Sequence, residues 1–404
     1  MSKNIGMLLD AYYPSDIRVH KEATALIDSG FNVFLLCKRR RGELVSESIE
    51  GIEVMRVYMG EGNASKGIID ILLALYFVHP VFKWKLDKFI RKHSIDVLHV
   101  HDLPLVKTAI LKASKNEIKV VADFHENYPE ALNVWFQWKK NPLIRLKNSI
   151  FFNYSRWSNY EKWATKNADH VIAVVDEMKK RLIEEHKVEE GKVEVITNTE
   201  SKDFISSKLN EEIYGEDKDK FILAYTGGVG PHRGVDTAIT GMQYLKKYDD
   251  IVLYITGSAS KAAHDSMVKM VNEYGLDDQV KILGYRPFSE FYSFMKMARV
   301  NIIPHHSNGH TDNTVPHKLF QCMMTGNPIL VSSSTPLKRI IEETNSGLYF
   351  EAGNSLDFAN KVLELYINTN SCTRFGLNGL KSTMEGDLNW EHTSVVLKEF
   401  YSKI

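Results

Sequence analysis

Short apolar runs and amphipathic stretches alternate along the whole chain. Runs at Ile5–Leu9, Val33–Cys37, Val54–Val57, Val97–Val100, Val120–Phe124 and Val171–Val175 read as buried strands. Between them, helical spacing of the apolar positions predicts helices over Ile17–Ser29, Ile69–Lys92, Leu105–Ser114 and Met178–Glu185. A second series of strands follows at Ile222–Thr226, Val252–Thr256, Val280–Leu283, Val300–Ile303 and Ile329–Val331, again with helices between. This alternation predicts an α/β protein with parallel sheets covered by helices on both faces. The charged segment Asn210–Lys220 precedes a fresh apolar strand, so the boundary is placed between Ile196 and Phe221. Two doubly wound halves of similar size are expected to face a central cleft, with ligands outside the carboxyl ends of the strands.

The segment Ile302 to Val331 condenses this pattern. An apolar run ends at Pro304 and gives way to a polar loop, His305 to Asn313. Thr314 is a plausible N-cap and Pro316 suits a first helical turn. Gly326 suits a left-handed helix end. Free N–H groups at such a helix start attract a phosphate. Lys318 and Gln321 are expected on one helical face, with Leu319, Phe320, Met323 and Met324 in the core. Alone, this segment reads more readily as an ordinary turn with a solvated lysine.

Other loops strengthen the phosphate reading. The glycine-rich run Gly227–Gly234 lies between a strand and a helix, and its Arg233 can neutralise a diphosphate bidentately. Polar turns at Thr256–Ser260 and Gly284–Phe288 end the next two strands. Four consecutive strand ends thus carry glycine, hydroxyl or cationic residues. In the first half, His99–Asp102 and Asp123–Pro129 end neighbouring strands with polar residues, including His125 and Glu126. His125 is as readily structural as catalytic on this evidence. Asp16 and Arg18 lie at the start of the first helix, which is a further expected anion site, and with Glu126 they are expected on the acceptor side.

Composition adds little. The chain has 404 residues, enough for about two domains. Lys+Arg and Asp+Glu balance at 51 each, so no global charge argues for nucleic acid. Three scattered cysteines have no metal or redox spacing and suit a reducing cytosol. The N-terminal run is too short for a signal peptide, and Ile68 to Phe82 is too short and interrupted to span a bilayer.

Together the motifs resemble the family-4, group-1 retaining glycosyltransferases of the GT-B fold. The resemblance rests on YYPSDIRVHKEATALIDSGFNV, on the HE of DFHENYPE and on VITN ending at Asn198. It also rests on the GG…RG loop and on PHKLFQCMMTGNPIL. It implies an acceptor-binding domain over 1–197, a nucleotide-sugar-binding domain over 198–385, and a helix over 386–404 that crosses back to the first. It implies a nucleotide-diphosphate sugar as donor, a UDP- or GDP-sugar, with no cofactor and no metal. By the same resemblance Arg233, Lys318 and the backbone near Val315 and Pro316 would contact the diphosphate. Gln321 would face the ribose, Gly257, Tyr285 and Arg286 would hold the base, and His125 would line the donor-sugar pocket. The family's paired glutamates are Asn313 and Gln321 here, and a position often occupied by arginine is small, near Gly228. Neutral amides at those places fit a different sugar preference or a weaker site.

The stretch 135–166 interleaves Trp135, Trp138, Trp157 and Trp163 with seven basic residues, and 68–92 ends KWKLDKFIRK. Both suit an anionic membrane surface, and equally a buried helix with a solvated basic face. A peripheral enzyme acting on a glycan or lipid-linked acceptor in surface polysaccharide assembly is the expectation. A nucleotide-sugar epimerase and a non-catalytic nucleotide-sugar binder are the alternatives.

Overall fold

The structure, a computed structural model, describes residues 2–60, 62–136 and 141–404, without the side chains of 63–65. Trp138, Lys139 and Lys140 of the aromatic and basic stretch therefore lie outside the described residues. The chain divides into two compact units, Met1–Thr197 with Ser394–Ile404, and Asn198–Thr393.

The first unit is built on eight strands: β1 (Asn4–Tyr12), β2 (Asn32–Arg39), β3 (Ser46–Ile49), β4 (Ile52–Tyr58), β5 (Val97–His101), β6 (Lys119–Phe124), β7 (His170–Ala173) and β8 (Val193–Val195). Their order is β3-β4-β2-β1-β5-β6-β7-β8, parallel except for the β3–β4 pair. The second unit has six parallel strands: β9 (Phe221–Thr226), β10 (Ile251–Thr256), β11 (Val280–Gly284), β12 (Val300–Ile303), β13 (Ile329–Ser332) and β14 (Gly347–Phe350), in the order β11-β10-β9-β12-β13-β14. Chain direction across the sheet reverses beside β1 in the first unit and beside β9 in the second. A strand-order reversal leaves a crevice at the carboxyl ends of its two strands, where α/β sheets bind ligands.

Both faces of the second sheet are apolar, as a parallel sheet covered by helices requires. Along β9, Leu223 and Tyr225 join a cluster with Ile239, Leu253, Leu330 and Phe358. Ile222 and Ala224 point the other way, against Tyr214, Val252 and Phe294. Burying one such side chain contributes about 1.5–3 kcal/mol.

Two expectations change. The single helix over Ile69–Lys92 is two helices, Asn63–Tyr76 and Pro80–His93, bent by 79°. Phe77 caps the first in the left-handed region at φ +53, and the His79 imidazole accepts from the Phe82 N–H at the start of the second. Pro80 disfavours a helical residue before it, so the apolar periodicity runs through a stop signal. The helix expected to start at Thr314 starts at Lys318 instead. Thr314 is extended, with φ −151 and ψ 148, and no side-chain cap bond forms at the true start.

Candidate active site

The second unit gathers its cations where strand order reverses. The loop after β9 runs from Gly227 to Gly234, and the loop after β12 begins at Pro304. The two loops press together so closely that a Cβ on Gly234 (φ +64) would stand 1.6 Å from the Pro304 carbonyl oxygen. Similarly, a Cβ on Gly257 (φ +149) would stand 1.9 Å from the Gly227 oxygen. Only glycine fits either place, because each is buried against the backbone of a neighbouring loop.

This packing brings Arg233 to His305, with Nη1 and Nε2 3.2 Å apart. A guanidinium only donates, so His305 Nε2 is the acceptor and its other nitrogen holds the proton. Lys318 enters from helix Lys318–Met324, and its Nζ lies 3.7 Å from the centre of the Tyr225 ring. That ammonium is buried and has no hydrogen-bond partner among the described residues. Burial, then the field of Arg233, push its pKa well below the ordinary lysine value. His232, His305 and His310 crowd the same place. Burial and Arg233 push His232 down to about 3 and His310 to about 4, and hold His305 well below its ordinary value. Arg233, Lys318 and three imidazoles thus converge where neither Arg233 nor Lys318 has a carboxylate partner among the described residues.

The other expected donor residues are scattered around this centre. Gly228 accepts the Tyr225 hydroxyl on its carbonyl at 2.7 Å. Gly257, Gly284 and Tyr285 line a cavity of about 560 Å³ beside Ser258, His264 and Met267, with Tyr285 75% exposed. Arg286 is exposed beside it. Val315 is buried, and the Pro316 carbonyl accepts from the Leu319 N–H at 2.9 Å. Asn313 donates to the Gly309 carbonyl at 2.8 Å, a bond inside its own loop. Gln321 does not share an open face with Lys318. It is buried, and its Nε2 donates to the Glu200 carboxylate at 2.7 Å. His317 Nε2 lies 3.2 Å from the same carboxylate. Glu200 thus brings a carboxylate to the amide at Gln321, a role that a residue so far away in sequence gives no local sign of.

In the first unit, β5 and β6 end side by side, with His101 in register with Asp123. Asp123 Oδ2 lies 2.8 Å from His125 Nε2 and 3.2 Å from His101 Nδ1. Its other oxygen accepts from Arg18 at 2.8 Å. Burial alone would raise the Asp123 pKa, yet Arg18 and His125 hold it well below the usual carboxylate range. Burial likewise opposes the charged form of His125, but Asp102 and Asp123 outweigh it and raise His125 to about 9. Burial and His99 push His101 down to about 4. Asp102 adopts φ +61 and ψ 163, a region that costs a non-glycine residue about 1–3 kcal/mol. Its carboxylate accepts from the His125 backbone N–H at 3.2 Å.

The expected anion site at the start of helix Ile17–Asp28 is corrected. The Asp16 carboxylate already accepts from the Val19 N–H at 3.3 Å, so an anion of the chain itself caps that helix. Arg18 is buried between Glu22 and Asp123 and offers no open charge. Glu126 is half-buried next to His125. Glu22, His99, His101 and Asp123 place ligand-type atoms within 4.8 Å of one another, and Arg18 supplies counter-charge to both carboxylates.

Comparison with known proteins covers both units. Residues 17–199 match the family described as Glycosyltransferase Family 4, and residues 206–382 match Glycosyl transferases group 1. An uncharacterised glycosyltransferase of Methanocaldococcus jannaschii is 26% identical over 80% of this chain and 79% of its own. The capsular polysaccharide biosynthesis glycosyltransferase CapM of Staphylococcus aureus is 19% identical over 78% and 88%. Among solved structures, sucrose-phosphate synthase of Thermosynechococcus elongatus superposes with a TM-score of 0.77 at 16% identity, over 99% of this chain and 98% of that one. Anabaena HepE in complex with UDP-glucose gives 0.74 at 12%, over 99% and 100%. These likenesses, with the two parallel sheets, give the GT-B fold.

Proposed function

Because the chain belongs to the glycosyltransferases of group 1 and family 4, we propose that it moves a sugar from a UDP- or GDP-sugar to a glycan or lipid-linked acceptor with retention, in the assembly of a surface polysaccharide. One observation carries the donor half of this reading: Arg233 and the buried, unpartnered Lys318 converge at the carboxyl ends of β9 and β12. A diphosphate supplies the anion that they lack. As the glycosidic bond breaks, negative charge grows on the leaving diphosphate, and fixed cations stabilise it without reorganising. The complexes of HepE with UDP and with UDP-glucose support a nucleotide sugar as donor. The likeness to CapM supports the polysaccharide reading. In the first unit, His125 and Asp102 supply polar groups for a sugar hydroxyl.

The acceptor side is proposed to lie on an anionic membrane surface. Helix Pro142–Phe151 buries only Asn148 and exposes Leu143, Ile144, Leu146 and Ile150. It packs against helix Asn63–Tyr76, which exposes Ile68, Leu75 and Tyr76. Trp84, 72% exposed, lies under the Lys85 ammonium at 4.3 Å. Exposed apolar side chains among lysines and arginines suit the boundary of an anionic bilayer. Among the described residues no single helix is long and apolar enough to cross a membrane.

A thermal-shift screen against UDP-, GDP-, ADP- and dTDP-sugars tests the donor reading. Ligand at about 100 times its Kd adds roughly 2.7 kcal/mol of stability. Lys318→Ala is expected to abolish the preferred shift, and an undiminished shift would remove Lys318 from the site. Flotation with anionic liposomes tests the surface. Binding that salt weakens is expected, and none at low salt refutes it.

A further inference from the structure

The phosphate-binding reading leaves three imidazoles beside Arg233 and Lys318 with no task. His232 and His310 face one another with ring centroids 5.2 Å apart, and His232 and His305 are 6.4 Å apart. His305 is committed, because its Nε2 accepts from Arg233 and a proton there would break that bond. His232 is not committed. Its Nδ1 is buried and has no hydrogen-bond partner among the described residues. Between Gly227 and Gly234, His232 and Arg233 are the only basic side chains.

The groups that face His232 come from every neighbouring element. Arg233 follows it in the chain, Lys318 faces it from helix Lys318–Met324, and His306 and His310 face it from the loop after β12. His306 carries its own carboxylate partner, Asp236 of helix Val235–Met242, at 3.0 Å. The field on His232 is therefore positive, and burial adds to it; together they expel its proton. A doubly charged diphosphate lying on Arg233 and Lys318 reverses the sign of that field.

We propose that His232 takes up a proton when a nucleotide-diphosphate sugar binds, and so becomes the third positive charge on the diphosphate. This rests on the phosphate reading of the same site. It makes donor binding favour mildly acid solution and makes the loop after β9 a proton-coupled clasp. The proton comes from solvent and returns to it when the nucleotide leaves.

Titration calorimetry of the whole chain tests this, with UDP-glucose and GDP-mannose as probes, since the diphosphate of a sugar nucleotide stays fully ionised near neutrality. Heats are compared at about pH 6 in PIPES and in Bis-Tris, whose ionisation enthalpies differ. The slope of binding enthalpy against buffer enthalpy gives the protons taken up. Roughly half to one proton is expected at about pH 6, falling toward zero at about pH 8. His232→Gln is expected to lose the slope and to bind about 3–10-fold more weakly at about pH 6, with affinity near wild type at about pH 8. A wild-type slope of zero, or a slope that persists in H232Q, overturns the proposal. Binding heat with zero slope leaves the phosphate reading standing, whereas no heat with either probe removes both. Should H232Q fail to fold, the imidazole nitrogen shifts of wild-type His232 decide it: they move to the protonated range on adding UDP-glucose, or the proposal fails.

Discussion

Each unit places histidines at the carboxyl ends of its strands, and the two clusters carry opposite charge. In the first unit His125 sits between Asp102 and Asp123 and is raised to about 9. In the second, His232 and His310 sit among Arg233 and Lys318 and are lowered to about 3 and about 4. Burial pushes all three toward neutrality, so burial does not separate them. The nearest fixed charge does. One cluster is complete in that each of its cations, Arg18 and His125, has a carboxylate partner. The other is unfinished, with its cations waiting for an anion. A complete cluster specifies structure, while an unfinished one specifies a ligand.

The largest expected effect comes from breaking the complete cluster. Asp123→Asn leaves Arg18 and His125 buried without their shared carboxylate. Breaking a buried ion pair from one side costs about 3–5 kcal/mol. Denaturant unfolding should show that loss, and the His125 pKa should fall from about 9, because one of the two carboxylates that raise it is gone. A loss under about 1 kcal/mol would mean that Asp123 is not the hub of the cluster.

The unfinished cluster should respond in the opposite way. Lys318→Ala removes an unpaired buried ammonium, so it is expected to leave stability unchanged or raise it. It should still cost roughly 2–4 kcal/mol of transition-state stabilisation, which is the usual worth of one preorganised donor. Turnover of a UDP- or GDP-sugar against thermal melting separates the two readouts. If stability and turnover fell together, Lys318 would be a structural group and the contrast between the clusters would fail.

The difference between the clusters also explains what the sequence disclosed. Strand and helix alternation gave both sheets, because parallel strands buried on two faces are apolar throughout. The short strands β3, β8 and β14 are not marked, since they are partly buried sheet edges without the fully buried runs of the equally short β12 and β13. Arg233 and Lys318 were legible because both stand in motifs with a local signature. Arg18 reads locally as an open charge because its partner Asp123 is 105 positions away. Glu200 is similarly remote from Gln321, 121 positions away. Local pattern shows which side chains reach a strand end. It does not show which of them pair once they arrive.

Acid and base should act on opposite clusters. His125 has a folded pKa raised above the unfolded value of about 6.5. Its contribution is fully present below about 6.5 and is lost as pH rises through about 9. His232 and His310 are depressed, so between about 6.5 and their folded values the unfolded chain binds protons that the native chain refuses. Their contribution is present above about 6.5 and falls away as pH drops toward about 4. Denaturation midpoints measured from acid to alkaline pH should therefore decline on both sides of neutrality. H232Q should blunt the acid side alone. A decline on the acid side that H232Q leaves untouched would assign it to other groups.

The smallest effect tests the rule itself. His306 lies beside the cationic cluster of the second unit, yet it has a carboxylate partner, and its bond to Asp236 raises its pKa. If the nearest counter-charge sets the sign, this histidine should behave like His125 despite its neighbours. Asp236→Asn should cost at most about 1 kcal/mol, because the pair is half-exposed and such pairs are weak. It should nevertheless bring the His306 pKa down, as read by imidazole proton shifts across a pH titration. A His306 that titrates unchanged in Asp236→Asn would show that the field of Arg233 and Lys318, and not the adjacent carboxylate, governs the histidines around them. The same reasoning would then weaken the assignment of His125 to Asp102 and Asp123.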